Sequence, residues 1–362
     1  MKVGVNSRIY SSEFTGIQNY IRGLYNAISK IDSNNKYTFF QMSKEKKLGK
    51  TLTTSLPKNK LSNVLFDLFL VSKHIRNSGV SVFHGAANVL PFNRMGGVKY
   101  VVTIHDLFVM IDPAMALKLH GQFYYRAVLK RTIKNADLII VYSESTRKDV
   151  IKFFNINPNK VKLIYAGVDE YYFSVKSPRR LIKDNYFFTA MTHPTRKNTA
   201  RVLDAFSKVP DLKKYKLVVA GPDHIIEKLT ETAINLGLEK NLVLFGVADK
   251  KQMASLYSHA QFFVFPSLYE GFGFPVLEAM LCGCPVITSN CSSLVEVTPD
   301  SNWLVTPDSI DQIAKKMENL VDLDNNKLKL LIKKNRSFAE KFTWEAAARE
   351  TVKTFEKLSR LS

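Results

Sequence analysis

The chain has 362 residues, 46% of them hydrophobic, and a formal net charge of +20 at pH 7. That length holds two domains each able to bury a core, and the composition excludes a disordered or low-complexity protein. No stretch is apolar enough to span a bilayer, the opening residues MKVGVNSRIY lack the apolar run of an export signal, and three clustered cysteines (Cys282, Cys284, Cys291) form no disulfide framework, so a cytoplasmic protein is expected. The basic excess is weighted toward the first half. It suits nucleic acid, an anionic membrane surface or phosphorylated substrates, and equally suits plain solubility.

In chain order, apolar runs predict strands at 3–7, 37–42, 80–84, 100–104, 138–142 and 161–166. Amphipathic helices are expected between them, at about 18–31, 62–77, 116–135 and 145–154. This alternation predicts a doubly wound, mostly parallel sheet. Residues 170–184 (EYYFSVKSPRRLIKD, from Glu170) break the pattern and read as a linker. The second half repeats the logic, with strands at 186–191, 216–220, 242–245, 261–265, 286–289 and 303–306, and a last helix at about 344–358.

Functional candidates lie at the carboxyl ends of these strands, where open α/β sheets bind ligands. Gly16, in FTGIQNYI, sits between the first strand and the first helix. A glycine there lets a ligand approach the backbone, and the helix N-terminus favours an anion. No GxGxxG follows any strand, which counts against a nicotinamide enzyme. His84 (in VFHGAANVLP) and His105 (in TIHDL, followed by Asp106) each end a strand and suit sugar hydroxyls, although a lone histidine in such a place is more often structural. Ser143 also ends a strand, with no role assigned. In THPTRKN, Arg196 and Lys197 occupy a strand-to-helix loop that begins at Thr192. Two adjacent cations there match a pyrophosphate, because charge-assisted hydrogen bonds are the strong class. The only DxD triplet, Asp322–Leu323–Asp324, follows no buried strand and reads as a solvated turn.

The most informative stretch is PSLYEGFGFPVLEAMLCGCP, residues 266–285. The run before it, AQFFVF, reads as a buried strand. The run after Pro275 reads as a helix with proline at its first position, where a missing N–H costs nothing. Glu270 falls in the glycine-rich turn and Glu278 about one helical turn in. Two carboxylates beside an anion site suit a ligand with both hydroxyls and phosphates, such as a nucleotide sugar.

This segment resembles the E-x7-E signature of family 4 of the retaining glycosyltransferases, which have the GT-B fold of two Rossmann-like domains facing across a cleft. SLYEGFGFPVLEAM and CGCPVITSNCSSLVEV are both similar to that family, and the resemblance runs from Lys2 to about Leu358. It implies an N-terminal acceptor-binding domain at 1–170, a linker at 171–184, a nucleotide-sugar domain at 185–343 and a helix at 344–362 that crosses back to the first domain. It implies that Glu270 contacts the donor hexose and Glu278 the ribose. The amides of Gly271, Phe272 and Gly273 then reach the hexose or diphosphate, and Phe245 and Val247 border the base. Lys197 matches the lysine that holds the diphosphate, with Arg196 and Thr192 beside it. Gly16 matches the family's glycine loop, His105 the histidine near the donor sugar, and His84 and Asp106 are assigned to the acceptor side. The Gly-Asp-Ala phrase common in relatives is replaced here by VTPDSNWL, a peripheral difference.

The expected activity is retaining, metal-independent transfer of a hexose from a GDP- or UDP-linked sugar to a saccharide or lipid-linked saccharide. Mannose is the expected sugar, because the overall pattern resembles polysaccharide mannosyltransferases. No cofactor beyond that co-substrate is expected. A sugar-nucleotide epimerase of the same fold is the first alternative, and a basic nucleic-acid-binding protein the second. The latter leaves the Glu270–Glu278 segment unexplained, so no nucleic-acid partner is expected. An anionic membrane surface is a further expected partner, from the basic loop at 44–60 and from FYYRAVLKRTIK, which interleaves Phe123, Tyr124, Leu129 and Ile133 with Arg126, Lys130, Arg131 and Lys134.

Overall fold

The computed structural model describes residues 1–8, 16–41, 50–53, 60–112, 119–176, 178–193 and 195–360. The chain divides into two units, Met1–Gly167 with Phe342–Ser362, and Val168–Lys341.

The first unit is built on seven parallel strands, β1 (Lys2–Asn6), β2 (Lys36–Gln41), β3 (Lys50–Thr53), β4 (Val82–Gly85), β5 (Lys99–Thr103), β6 (Leu138–Val141) and β7 (Val161–Leu163), in the order β3-β2-β1-β4-β5-β6-β7. The central strands are buried on both faces, which is why LIIV and YVVT read as continuous apolar runs. One core combines Phe66, Ile75, Phe83, Tyr100, Leu129 and Ile139. β3 falls within the stretch expected as a basic loop; residues 44–49 and 54–59 of that loop lie outside the described residues.

Helix α1 is Gly16–Ile31. The single helix expected at 62–77 is instead α2 (Lys60–Leu65) and α3 (Val71–Ser78), joined by a π-helical turn at Phe66–Leu70. Helix α4 (Leu119–Asn135) turns Leu129 and Ile133 into the core and leaves Arg126, Lys130, Arg131 and Lys134 exposed. Its apolar face is therefore largely spent on the domain, with Phe123 exposed near its start. The first residues expected in this helix, 116–118, lie outside the described residues. Among the described residues, no helix is long and apolar enough to cross a membrane. Ser143 caps α5 (Glu144–Phe154), its hydroxyl accepting the Thr146 N–H at 3.0 Å.

The second unit carries six parallel strands, β8 (Tyr186–Ala190), β9 (Lys216–Ala220), β10 (Leu242–Gly246), β11 (Phe263–Phe265), β12 (Val286–Ser289) and β13 (Leu304–Val305), ordered β10-β9-β8-β11-β12-β13. Its longer helices are α6 (Thr199–Ser207), α7 (Lys250–His259), α8 (Phe274–Leu281), α9 (Ile310–Val321) and α10 (Asn325–Ala339). Phe187, Phe206, Leu217, Phe262, Ile287 and Met317 share its core. The stretch read as a linker is built into this unit. Asp169 caps a helical turn, Glu170–Phe173, and pairs with Lys250, while Tyr172 is buried against Tyr257 with ring centroids 6.4 Å apart.

The last helix, α11 (Trp344–Ser359), belongs to the first unit and packs on α1. Trp344 lies so close to α1 that a Cβ on Gly23 would stand 2.1 Å from its ring. A Cβ on Gly167 would stand 2.1 Å from the Trp344 backbone nitrogen.

Both sheets are doubly wound, and each reverses direction once. In the first unit the chain leaves β1 for β2 and β3, then returns to β4 on the other side of β1. In the second it leaves β8 for β9 and β10, then returns to β11 on the other side of β8. Loops leaving the carboxyl ends of two such strands diverge to opposite faces and open a crevice between them.

Candidate active site

At the switch point of the second unit, the loop after β8 meets the loop after β11. The first carries Thr192 to Asn198, the second Pro266 to Gly273. Their meeting brings Lys197 Nζ to 2.6 Å from Glu270 Oε1. Both residues are nearly buried, at 6% and 7% exposure. Lys197 also lies over the Phe265 ring, 4.7 Å from its centroid.

The backbone explains this placement. Asn198 adopts left-handed φ of 60°, a conformation asparagine tolerates, and closes the first loop just before α6. Its amide donates to the carbonyls of Pro266 (3.0 Å) and Pro307 (2.7 Å). The Leu268 N–H donates to the Arg196 carbonyl at 2.8 Å. The two loops are thus stapled twice before any side-chain charge is counted. Gly273 has φ of 121°, and a Cβ there would stand 2.8 Å from Val297, so glycine is required by both backbone and packing. Helix α8 starts at Phe274, placing Pro275 second rather than first.

Hydroxyls hold the Glu270 turn. Ser267 Oγ donates to Glu270 Oε1 at 2.6 Å. The Glu270 N–H donates to Ser292 Oγ at 3.0 Å, and Ser293 Oγ donates to the Glu270 carbonyl at 2.8 Å. Ser289 Oγ, at the end of β12, donates to the Ser267 carbonyl at 2.7 Å. Burial by itself would raise the Glu270 carboxyl, but the charges of Lys197 and Arg196 and the bonds from Lys197 and Ser267 hold it below the usual range. It is a carboxylate at neutral pH.

Glu278 has a different environment. Half-buried on α8, it accepts a long bond from Tyr257 Oη at 3.4 Å. Burial, reinforced by the nearby Asp169 carboxylate and only partly offset by Tyr257 and Lys250, pushes it up to about 7. The two glutamates of the E-x7-E spacing are therefore chemically distinct, one ionised and salt-bridged, the other near its midpoint at neutral pH. Phe245 is half-buried at the end of β10 and Val247 beyond it is 63% exposed. Thr192 is exposed; Gly271, Phe272 and Gly273 are buried.

In the first unit the strand-end histidines are inside the fold. His105 is 2% exposed. Its Nε2 donates to the Ala86 carbonyl at 2.8 Å, which leaves Nδ1 to accept from Tyr142 Oη at 2.9 Å. Burial lowers it to about 4, so it is neutral. His84 has no exposed surface, bonds Tyr25 Oη at 2.5 Å and Thr103 Oγ1 at 2.8 Å, and packs against Phe355 of α11. Burial, and secondarily His105, lowers it to about 3. Both of its nitrogens are engaged inside the domain, which suits a core histidine better than an acceptor ligand. Asp106 is half-buried and accepts the Phe108 N–H at 3.1 Å. Gly16 is the first residue of α1 and is exposed; a Cβ there would meet no atom of the described residues within 4 Å, so packing against them does not require glycine. The rest of that loop, residues 9–15, lies outside the described residues.

Asp324 of the DxD triplet caps α10, accepting the N–H groups of Asn326 and Lys327 at 2.7 and 3.2 Å, as a turn residue does. Among the described residues, no three His, Cys, Asp or Glu side chains converge on a point. Sequence reasoning missed Ser267, Ser292, Ser293, Asn198 and Asp169. Only the PS dipeptide before the glycine turn hinted at the first; Asn198 adjoins Lys197 but its partners Pro266 and Pro307 are remote in sequence, and Ser292, Ser293 and Asp169 act from remote loops.

The Lys197–Glu270 pair lies at the carboxyl ends of β8 and β11, where open α/β sheets bind ligands. Residues 174–338 match the family model for glycosyl transferases group 1, and residues 37–171 match that for glycosyltransferase family 4. The chain is similar to the O-antigen chain mannosyltransferase B of Escherichia coli, 27% identical over 292 residues, 76% of this chain and 74% of that protein. It is similar to the serotype-specific mannosyltransferase WbdA of Escherichia coli, 29% identical over 281 residues, 73% of this chain but 34% of that longer protein. Among solved structures, sucrose-phosphate synthase from Thermosynechococcus elongatus superposes with a TM-score of 0.78 at 19% identity, covering 100% of both chains. The chain is a glycosyltransferase of the GT-B fold, akin to family 4.

Proposed function

We propose that this glycosyltransferase moves a mannosyl group, with retention of configuration and without a metal, from GDP-mannose to a saccharide or lipid-linked saccharide in surface polysaccharide synthesis. The observation that carries the reading is the buried Lys197–Glu270 pair at the switch point of the second sheet. The mannosyl preference rests on the names of the relatives.

In this reading the donor diphosphate takes Lys197 as its counterion, with Arg196 beside it, and Glu270 accepts hexose hydroxyls. Glu278 accepts from the ribose. The bond between the anomeric carbon and the phosphate oxygen breaks as the acceptor oxygen bonds the same carbon from the same face. The acceptor proton passes to the departing phosphate oxygen, so no side chain need serve as base. Lys197 stabilises the charge that grows on that oxygen, an effect largest in the transition state. The neutral His105 supports hydrogen bonding to the donor sugar only if its bond to Ala86 or Tyr142 is exchanged. Exposed Arg126, Lys130, Arg131 and Lys134 on α4 support delivery of a lipid-linked acceptor from an anionic surface.

Calorimetry with GDP and with UDP tests the assignment. Glu278→Ala should weaken nucleotide binding, whereas Glu270→Gln should retain it and lose turnover. Equal loss of nucleotide affinity in both variants contradicts the division of roles, and tighter UDP than GDP binding contradicts the donor.

A further inference from the structure

Both hydrogen bonds to the Glu270 carboxylate, from Lys197 and from Ser267, fall on the same oxygen, Oε1, each at 2.6 Å. Oε2 is thereby left for a sugar hydroxyl. A diphosphate arriving beside Lys197 competes for that ammonium, since two phosphate charges outweigh one carboxylate. If Lys197 were the only anchor, Glu270 would lose its orientation at the moment the hexose needs it, and a buried carboxylate without a donor tends to take up a proton.

We infer that Ser267 is the positioning residue of this site, holding Glu270 Oε1 while Lys197 changes partner from the carboxylate to the donor diphosphate. This rests on the reading of Glu270 as a hexose ligand and adds to it a residue that touches neither substrate.

The surroundings of Ser267 suit the role. Its side chain is fully buried at the first turn after β11. Its single hydroxyl proton has three acceptors in reach: Glu270 Oε1 at 2.6 Å, the Arg196 carbonyl at 3.0 Å and the Tyr269 carbonyl at 3.4 Å. The shortest, and the only charged one, wins the proton, because O–H···O⁻ bonds are shorter and stronger than neutral ones. The hydroxyl oxygen is fixed from behind, since Ser289 ties down the Ser267 carbonyl. The main chain of Glu270 is held separately by Ser292 and Ser293, so loss of the Ser267 hydroxyl frees the carboxylate without dismantling the turn.

The test compares Ser267→Ala, Ser267→Cys and Glu270→Gln in the full chain. GDP release from GDP-mannose with a mannose-terminated oligosaccharide measures turnover, and calorimetry measures GDP binding. Loss of one hydrogen bond to a charged group should lower kcat about 10- to 100-fold in Ser267→Ala, with the Kd for GDP changed less than about threefold. The acid limb of the kcat–pH profile should move upward, because removing a donor to the ionised carboxylate favours its protonated form. Ser267→Cys, close in size but a weak donor, should shift the limb in the same direction and serves if the alanine variant melts out.

A folded Ser267→Ala or Ser267→Cys enzyme with wild-type kcat and acid limb overturns the proposal, provided Glu270→Gln is impaired. So does an unshifted limb with kcat and GDP affinity falling together, which is the mark of general damage. Wild-type turnover in Glu270→Gln overturns instead the reading of Glu270 on which the proposal stands.

Discussion

Replacing Lys197 by Met removes a charge while keeping the chain length that packs over Phe265. The buried Glu270 carboxylate then loses its direct ion-pair partner and keeps the Ser267 hydrogen bond and the more distant Arg196 charge. Breaking a buried pair by removing one partner costs about 3–5 kcal/mol when the remaining charge cannot escape. Here it can escape by taking a proton, which against an ordinary carboxyl value costs up to about 4 kcal/mol at pH 7.5. In the native protein Glu270 lies below the ordinary value, so its stabilising contribution is present above about pH 4.5 and is lost only as pH falls through its lowered value. In the variant burial is opposed only by Arg196 and Ser267, so Glu270 should rise, and once above the ordinary value it binds a proton that the unfolded chain has released. The stability deficit should therefore shrink on acidification, by up to about 1.4 kcal/mol per pH unit between pH 7.5 and 5.5. Urea unfolding at both pH values measures this, and adding Glu270→Gln to the variant should recover most of the loss at pH 7.5. Turnover should fall about 30- to 1000-fold, the equivalent of 2–4 kcal/mol in the transition state. A deficit below about 1 kcal/mol at pH 7.5, or one independent of pH, would show that Glu270 is not held by this charge.

Glu278 makes the opposite prediction. With its carboxyl at about 7, the folded chain keeps a proton that the unfolded chain loses above about pH 4.5, so stability drains as pH rises to about 7 and then levels. Glu278→Gln should melt higher than the parent at pH 8 and equally at pH 4.5, while binding GDP more weakly; an unchanged melting point at pH 8 would refute the cause given. Gly23→Ala should destabilise the first unit by about 1–3 kcal/mol through its clash with Trp344, whereas Gly16→Ala should leave the melting point unchanged and lower transfer. A thermal melt of both variants checks the contrast, which fails if Gly16→Ala melts out or Gly23→Ala does not. Transfer should survive EDTA if, as proposed, Lys197 and Arg196 take the leaving charge; loss of activity restored by Mg²⁺ or Mn²⁺ would sink that account.

Much of this protein was legible in its sequence. Strands buried on both faces are continuous apolar runs, and both sheets could be read from them, as could the turn at Gly271–Gly273 and the distinct positions of Glu270 and Glu278. What periodicity leaves unread is local and non-apolar. β3 (Lys50–Thr53) is a short edge strand with little to bury, and the π-helical turn at Phe66–Leu70 keeps the same apolar spacing as the helix expected there. The stretch at 170–184 looked like a linker because what anchors it, Tyr172 packed on Tyr257 and the preceding Asp169 paired with Lys250, involves partners far along the chain.

The sequence by itself determined which chemical groups are present near strand ends: a lysine after β8, a glutamate after β11, a histidine within β4 and another just after β5. Only the tertiary structure decided what each group does there. Strand order put the loops after β8 and β11 side by side, so Lys197 and Glu270, 73 residues apart, became one ion pair. The same packing took His84 out of reach by enclosing it between Tyr25, Thr103 and Phe355. The physical reason is that a side chain's charge and reach are properties of its residue, whereas its desolvation and its partners belong to the neighbours that folding brings, and these set whether a carboxyl is ionised, like Glu270, or near its midpoint, like Glu278.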